Sequence, residues 1–252
     1  MPSSRRDSGS VAAVIFDVDG TLYRQSTLRR AMLFRLVRAH ILHPLEAVAT
    51  FRILWSYRGA HEQLRNDRLR SDRLRADASA EPAGAMLGER QLILAARRSG
   101  YPVAAVRRTI EGWIERSPLD LMLAVRWPGV VECLQKLRGA GIRIGALSDY
   151  PATAKLTAMG LSALFDVVVC AQDSDVGRLK PDPAGLRIMI ARLEVRADQA
   201  VYVGDRPELD AGAASAAGMR CYIINRAGSH GSGWTGVGDY DELGRLLAND
   251  AV

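Results

Sequence analysis

The stretch Val11-Ala12-Ala13-Val14-Ile15-Phe16-Asp17-Val18-Asp19-Gly20-Thr21-Leu22 decides how the rest of the chain is organised. Its apolar start, Val11 to Phe16, is short and hydrophobic throughout, the pattern of a strand buried on both faces. Asp17 and Asp19 follow immediately, with Gly20 and Thr21 after them. A carboxylate at the end of a buried strand is costly unless it is paired or put to use. In extended backbone Asp19 lies one pleat beyond Asp17 and points the same way. Gly20 relieves the steric limit on the sharp turn that must follow.

Further along, strands and helices alternate. Helical periodicity covers residues 129–139, and residues 142–147 read as a strand. A helix is expected from Pro151 to Met159, with Gly160 at its C-terminal stop. Phe165 to Cys170 is a strand, 183–194 a helix, and Ala200 to Val203 a strand. A helix from Glu208 to Ala217 ends at Gly218, and Met219 to Ile224 is the last clear strand. Such alternation predicts crossover connections and a parallel sheet. The strand at 11–16 has no nearby partner, so it must join this sheet across an insertion.

That insertion, residues 24–126, is helical in pattern, with Leu28, Met32, Leu36, Phe51, Leu54 and Trp55 at helical spacings. Phe51 and Trp55 are expected in its core. Residues 64–77 carry a five-residue echo in which Asp alternates with Arg, the pattern of a solvated helix with internal ion pairs. Ala78 to Gly84 reads as a kink or loop. The Gly/Ser-rich tail, Ala227 to Gly238, is expected to be mobile, and Asp239 onward to form a closing helix. Within the tail, Gly231 to Gly236 spells a dinucleotide fingerprint by letters, but no helix opens on it and no βαβ unit follows. The organisation is then a frayed start at 1–10, an α/β core at 11–23 and 127–252, and a helical module at 24–126.

Composition agrees with a globular chain: 252 residues, 48% hydrophobic, with no apolar run long enough to span a bilayer. The polar start lacks the apolar core of a secretory signal, so a cytoplasmic protein with no membrane partner is expected. The net charge of +6 comes almost wholly from arginine, since Lys136, Lys155 and Lys180 are the only lysines. Interleaved Asp and Glu favour a mixed solvated surface over a nucleic-acid site. Cys133, Cys170 and Cys221 read as reduced core thiols, and the four histidines show no metal spacing.

Four fragments remain that composition does not explain: Asp17-Val18-Asp19-Gly20-Thr21-Leu22, Ser148-Asp149, Lys180-Pro181-Asp182-Pro183, and Gly204-Asp205 with Asp210. Taken singly each has a plain reading. Asp-x-Asp-Gly suits a calcium loop, although Leu22 stands where that loop needs Gly. Ser148 suits a helix N-cap, Lys180 a surface lysine, and Asp205 and Asp210 caps of the helix near Glu208. Together, in this order and each at or just beyond a strand end, the fragments resemble the four motifs of the haloacid dehalogenase superfamily. The likeness is to its phosphatase branch with a helical cap after the first motif. It covers residues 11–22 and 127–225.

The resemblance implies a Rossmann-like parallel core and a Mg²⁺-dependent phosphomonoesterase acting on a small phosphorylated metabolite. It makes Asp17 the nucleophile, forming an aspartyl-phosphate, and Asp19 the proton donor and acceptor. It places Mg²⁺ on Asp17, the Asp19 main-chain carbonyl, Asp205 and Asp210, the last orienting the metal shell. Gly20, Thr21, Ser148, Asp149 and Lys180 then hold the substrate phosphate. Pro181 keeps Lys180 out of a helix. Asp149 stands where the family often has Asn, and Leu209 where it often has a polar residue. Lys180→Ala is expected to lower turnover severely with the fold intact. Substrate choice falls to the insert, with Arg24, Arg52, Trp55, Tyr57 and Arg58 as candidates, and the chain as monomer or homodimer. The alternatives are a dehalogenase, a sugar phosphomutase, or a non-catalytic protein binding through the Arg-rich insert. A dehalogenase expels halide without a proton and has no need of Asp19.

Overall fold

The computed structural model describes residues 10–73 and 86–249. The strands are β1 (Ala13–Asp17), β2 (Arg143–Ser148), β3 (Val167–Cys170), β4 (Ala200–Gly204), β5 (Arg220–Ile224), β6 (His230–Gly231) and β7 (Trp234–Val237). They form one sheet in the order β3-β2-β1-β4-β5-β7-β6, parallel except for the β6–β7 pair. The helices are α1 (Gln25–Ala39), α2 (Pro44–Arg73), α3 (Leu87–Ser99), α4 (Val103–Ile110), α5 (Met122–Val125), α6 (Val130–Gly139), α7 (Thr153–Ala158), α8 (Ala184–Arg192), α9 (Gly212–Ala217) and α10 (Tyr240–Asn249). This is the α/β, Rossmann-like core that the strand–helix alternation predicts.

β1 and β4 are buried along their whole length, as parallel strands covered on both faces must be. β1 pairs with β2 on one side, Asp17 opposite Leu147, and with β4 on the other, Phe16 opposite Val203. The first strand thus sits mid-sheet, although more than a hundred residues separate it from β2. The chain runs from β2 to β3 on one side of it and from β4 to β5 on the other. Their crossovers diverge, opening a crevice at the carboxyl ends of β1 and β4.

Two compact units divide the chain: Met1–Ser26, Met122–Ala171 and Arg178–Val252 form one, Thr27–Leu121 and Gln172–Gly177 the other. In the second, α2 packs on α3 through Ile53, Tyr57, Ala60 and Leu64 from α2, and Leu92 and Ala95 from α3. The α2 residues recur at i, i+4, i+7 and i+11, a single helix face. Gln91 Nε2 donates to the Tyr57 carbonyl at 3.2 Å inside this core.

Several expectations need correction. Phe51 and Trp55 lie on the opposite face of α2 from Ile53 and Tyr57. They are exposed and stack on each other, with ring centroids 6.2 Å apart. Tyr57 is the core residue instead. The tail at 227–238 forms β6 and β7. β7 extends the sheet in register, Ile224 opposite Val237, so β5 is not the last strand. The glycines there serve close approach: a Cβ on Gly236 would collide with the Arg226 carbonyl. The fingerprint-like letters lie on this hairpin. The three cysteines are buried and form no disulfide. Of the expected fray at 1–10, residues 1–9 fall outside the described residues, as do the loop at 78–84 and the echo beyond Arg73.

Candidate active site

Asp17 closes β1, and Asp205 follows the end of β4, so their carboxylates meet over the crevice between the two strands. Lys180 enters from the loop before α8. Its Nζ donates to Asp17 Oδ1 at 2.5 Å, to Asp210 Oδ1 at 2.7 Å and to the Tyr202 hydroxyl at 3.1 Å. The Asp17 and Asp210 side chains are 5% and 1% exposed, and that of Lys180 8%. Asp17 Oδ2 accepts from Thr21 Oγ1 at 2.9 Å. Asp210 Oδ2 accepts from the backbone N–H groups of Asp205 and Arg206, at 3.1 and 2.9 Å. It thereby fixes the turn that carries Asp205.

One ammonium faces three carboxylates here. Burial pushes Asp17 well above the usual carboxylate range. Lys180 opposes this, but Asp210, Asp205 and Asp19 reinforce it. Burial works against the charge on Lys180, yet Asp17 and Asp210 outweigh it and hold the ammonium well above its ordinary value. Burial and Asp210 push Asp205 up to about 6. Asp17, Asp205 and Asp210 each offer an oxygen, all within 4.8 Å of one another. Asp205 Oδ1 is buried without a hydrogen-bond partner. An all-oxygen donor set with surplus negative charge and one orphaned oxygen fits a divalent cation.

Two glycines keep this geometry open. Gly20 has φ +101°, and a Cβ there would run into the Asp205 carboxylate. A Cβ on Gly204 would overlap the Asp210 carboxylate. Neither position has room for another residue.

Asp19 lies in a different field. Its Oδ1 accepts from Lys155 Nζ at 2.6 Å and from the Tyr23 hydroxyl. Its Oδ2 accepts from Ser148 Oγ at 3.2 Å. Burial pushes this carboxyl up, but the charge of Lys155 and the bonds from Lys155, Tyr23 and Ser148 together hold it below the ordinary value. Ser148 also accepts from the Tyr150 backbone N–H at 3.1 Å, which aims its proton at Asp19.

The structure therefore gathers Asp17, Asp19, Thr21, Ser148, Lys180, Asp205 and Asp210 at one edge of the sheet, with Gly20 against Asp205. Asp149 supports from behind: its Oδ1 accepts from the Lys180 backbone N–H at 3.2 Å. The arginine of Arg24 lies 5.7 Å from the Trp127 ring and donates to the Ala124 carbonyl. Arg52, Trp55, Tyr57 and Arg58 belong to the helical unit. Sequence reasoning passed over Lys155, Tyr23 and Tyr202. Lys155 had a signal, being one of three lysines and lying on the short helix after Ser148.

Comparison with known proteins agrees with this geometry. A family model described as haloacid dehalogenase-like hydrolase matches residues 11–218. The chain is 30% identical over 223 residues to a glyceraldehyde 3-phosphate phosphatase of Methanopyrus kandleri, covering 86% of this chain and 84% of the relative. It is 31% identical over 219 residues to a phosphoglycolate phosphatase of Rhodospirillum rubrum, covering 84% and 79%. Among solved structures, a 2-haloacid dehalogenase from Pseudomonas syringae pv. Tomato superposes with a TM-score of 0.63 at 22% identity, over 95% of this chain and 99% of that one. At that identity the superposition speaks for the fold alone. With the family model spanning the helical insert and the strands β1 to β4, the chain belongs to the haloacid dehalogenase-like hydrolases.

Proposed function

We propose that this hydrolase cleaves phosphomonoesters of small metabolites through a phosphorylated Asp17, with a divalent cation, Mg²⁺ by the hardness of its oxygen donors. The observation that carries the reading is the convergence of Asp17, Lys180, Asp205 and Asp210 on one point, with Asp19 beside it. Asp17, Asp205 and Asp210 would hold the cation, joined through the resemblance by the Asp19 carbonyl. When bound, the cation neutralises carboxylate and phosphate charge that would otherwise repel.

A carboxylate oxygen of Asp17 attacks phosphorus as the ester P–O bond breaks, and Asp19 delivers a proton to the leaving oxygen. Asp19, then ionised, takes a proton from water as the water oxygen attacks phosphorus. The bond from phosphorus to Asp17 breaks and inorganic phosphate leaves. Lys180 holds negative charge at the site throughout, from a loop fixed by Asp149. Phosphoryl transfer of this kind depends on positioning and charge more than on covalent novelty.

Dehalogenation is the second reading. The bonds that Lys155, Tyr23 and Ser148 spend on Asp19 count against it, since halide departs without a proton. The test is phosphate release from p-nitrophenyl phosphate, phosphoglycolate and glyceraldehyde 3-phosphate, with Mg²⁺ and with EDTA. Hydrolysis that EDTA abolishes and Asp17→Asn eliminates is expected. Equal rates for wild type and Asp17→Asn remove the proposal. Chloride release from 2-chloropropionate in place of phosphate release favours the second reading.

A further inference from the structure

The helical unit carries a surface to which the steps proposed above assign no role. From the end of α1, through the turn and along the first half of α2, large apolar side chains face solvent. Leu42 and Leu45 are 82% and 85% exposed, with Phe34, Ile41, Val48 and Trp55 each more than half exposed. Isolated exposed apolar residues are ordinary, but a succession of this kind marks an interaction surface. It does not come from an unfilled core. The buried faces of these helices are already occupied by Leu28 and Leu36 on α1 and by Ile53, Tyr57 and Ala60 on α2.

The charge around this surface is one-sided. Between Arg24 and His61 the only acidic residue is Glu46. Arg30, Arg38, Arg52 and Arg58 are exposed and make no ion pair or hydrogen bond among the described residues. Arg35 on α1 differs in pairing with Asp120 at 2.8 Å, and beyond this surface Arg107 pairs with Glu89 at 2.5 Å. An apolar strip with an unpaired arginine fringe has the composition of an interfacial helix, with rings and aliphatic chains below the headgroups and guanidinium groups at the phosphates.

We propose that the α1–turn–α2 surface seats the protein on an anionic lipid bilayer. The chain would lie on the membrane and not cross it, because no helix among the described residues is long and apolar enough to span one. Charge decides between this and the other natural occupant, a second copy. Two such faces brought together would oppose arginine to arginine, with Glu46 as the one acid that α1, the turn and the first half of α2 supply, whereas anionic headgroups neutralise the unpaired fringe. The inference stands independently of the phosphatase reading.

The experiment is co-sedimentation of the full chain with vesicles of phosphatidylcholine alone and of phosphatidylcholine mixed equally with phosphatidylglycerol. Wild type is expected in the pellet with the anionic vesicles, and released from them as salt rises. Ile41→Asp/Leu42→Asp and Arg30→Glu/Arg38→Glu are each expected to weaken that binding at least about tenfold. Both variants should hydrolyse soluble p-nitrophenyl phosphate like wild type, or match its circular dichroism if wild type proves inactive. Failure of wild type to pellet, equal pelleting with neutral vesicles, or unchanged binding by both variants would overturn the proposal. So would a wild-type dimer in light scattering that Ile41→Asp/Leu42→Asp makes monomeric, without vesicle binding: the occupant is then a second copy.

Discussion

Replacing Lys180 by Met keeps most of the buried stem and removes the ammonium shared by Asp17 and Asp210. Breaking a buried ion pair by deleting one partner costs about 3–5 kcal/mol, because a charge is left uncompensated. Here two carboxylates lose their countercharge, and their side chains are only 5% and 1% exposed. Whole-domain stability is about 5–15 kcal/mol, so the loss is a large fraction of it. The sequence expectation that Lys180 can be truncated with the fold intact is therefore replaced: activity and stability should fall together. The pH dependence has a definite sign. The pKa of Lys180 is raised in the folded state, so its contribution is complete at all pH values below its unfolded value of 10.5. In the variant, Asp17 loses the one neighbour that lowers its pKa and keeps three that raise it. Folded Asp17 then binds a proton at a pH where the unfolded chain, with a carboxyl near 3.8, does not. Stability of the variant must rise, relative to wild type, as pH falls. The assay is urea unfolding by circular dichroism without divalent cations, at about pH 7.5 and about pH 5.5. A deficit of a few kcal/mol at the higher pH that shrinks at the lower is expected. Equal stabilities at the higher pH, or a deficit that grows on acidification, refute the reasoning.

Gly20→Ala should cost about 1–2 kcal/mol for its left-handed backbone alone. It should also abolish turnover by displacing the Asp205 carboxylate, and normal kinetics in that variant would show the turn is not constrained. Asp205→Asn should raise the Mg²⁺ concentration for half-maximal activity at least roughly tenfold, measured by metal titration. The same change relieves a buried carboxyl held at about 6, so the metal-free variant should be more stable than wild type above that pH and similar to it well below. Lys155→Met removes the charge that holds the Asp19 carboxyl low, so the pH above which hydrolysis of alkyl phosphates falls should move upward, read from the pH profile of kcat/KM.

The parallel sheet was legible because its signals are local: apolar runs of strand length, helical stripes between them, and glycines at the stops. The candidate acids stood out for the opposite reason, since Asp17 and Asp19 contradict the buried strand they follow. What the sequence hid depends on directions fixed only in three dimensions. Lys155 is an unremarkable helical lysine until α7 turns it toward Asp19. Tyr202 lies inside an apolar strand, and only folding brings its hydroxyl within 3.1 Å of Lys180. Composition misled in the tail, where Gly236 suggested mobility but makes room for a carbonyl. Periodicity misled at Phe51 and Trp55, because a helix with two apolar faces does not announce which one is buried.

Asp17 and Asp19, separated by one residue, are held in opposite electrostatic conditions, and the proposed chemistry requires each to leave its resting state. Burial among carboxylates favours a proton on Asp17, which must attack as an anion. Lys155 and its companion donors favour the anion of Asp19, which must give up a proton. An arriving phosphate dianion acts on the second setting directly. Its charge raises the affinity of Asp19 for a proton and competes for the ammonium of Lys155. Because Lys155 and Tyr23 both bind Oδ1, the proton must reside on Oδ2, where Ser148 is the one hydrogen-bond partner among the described residues and can turn its hydroxyl aside. The general acid would thus be assembled by the substrate it serves. Ligands lacking the dianionic group would leave Asp19 ionised, a form of selectivity built into the core strand and independent of any side chain in the helical unit.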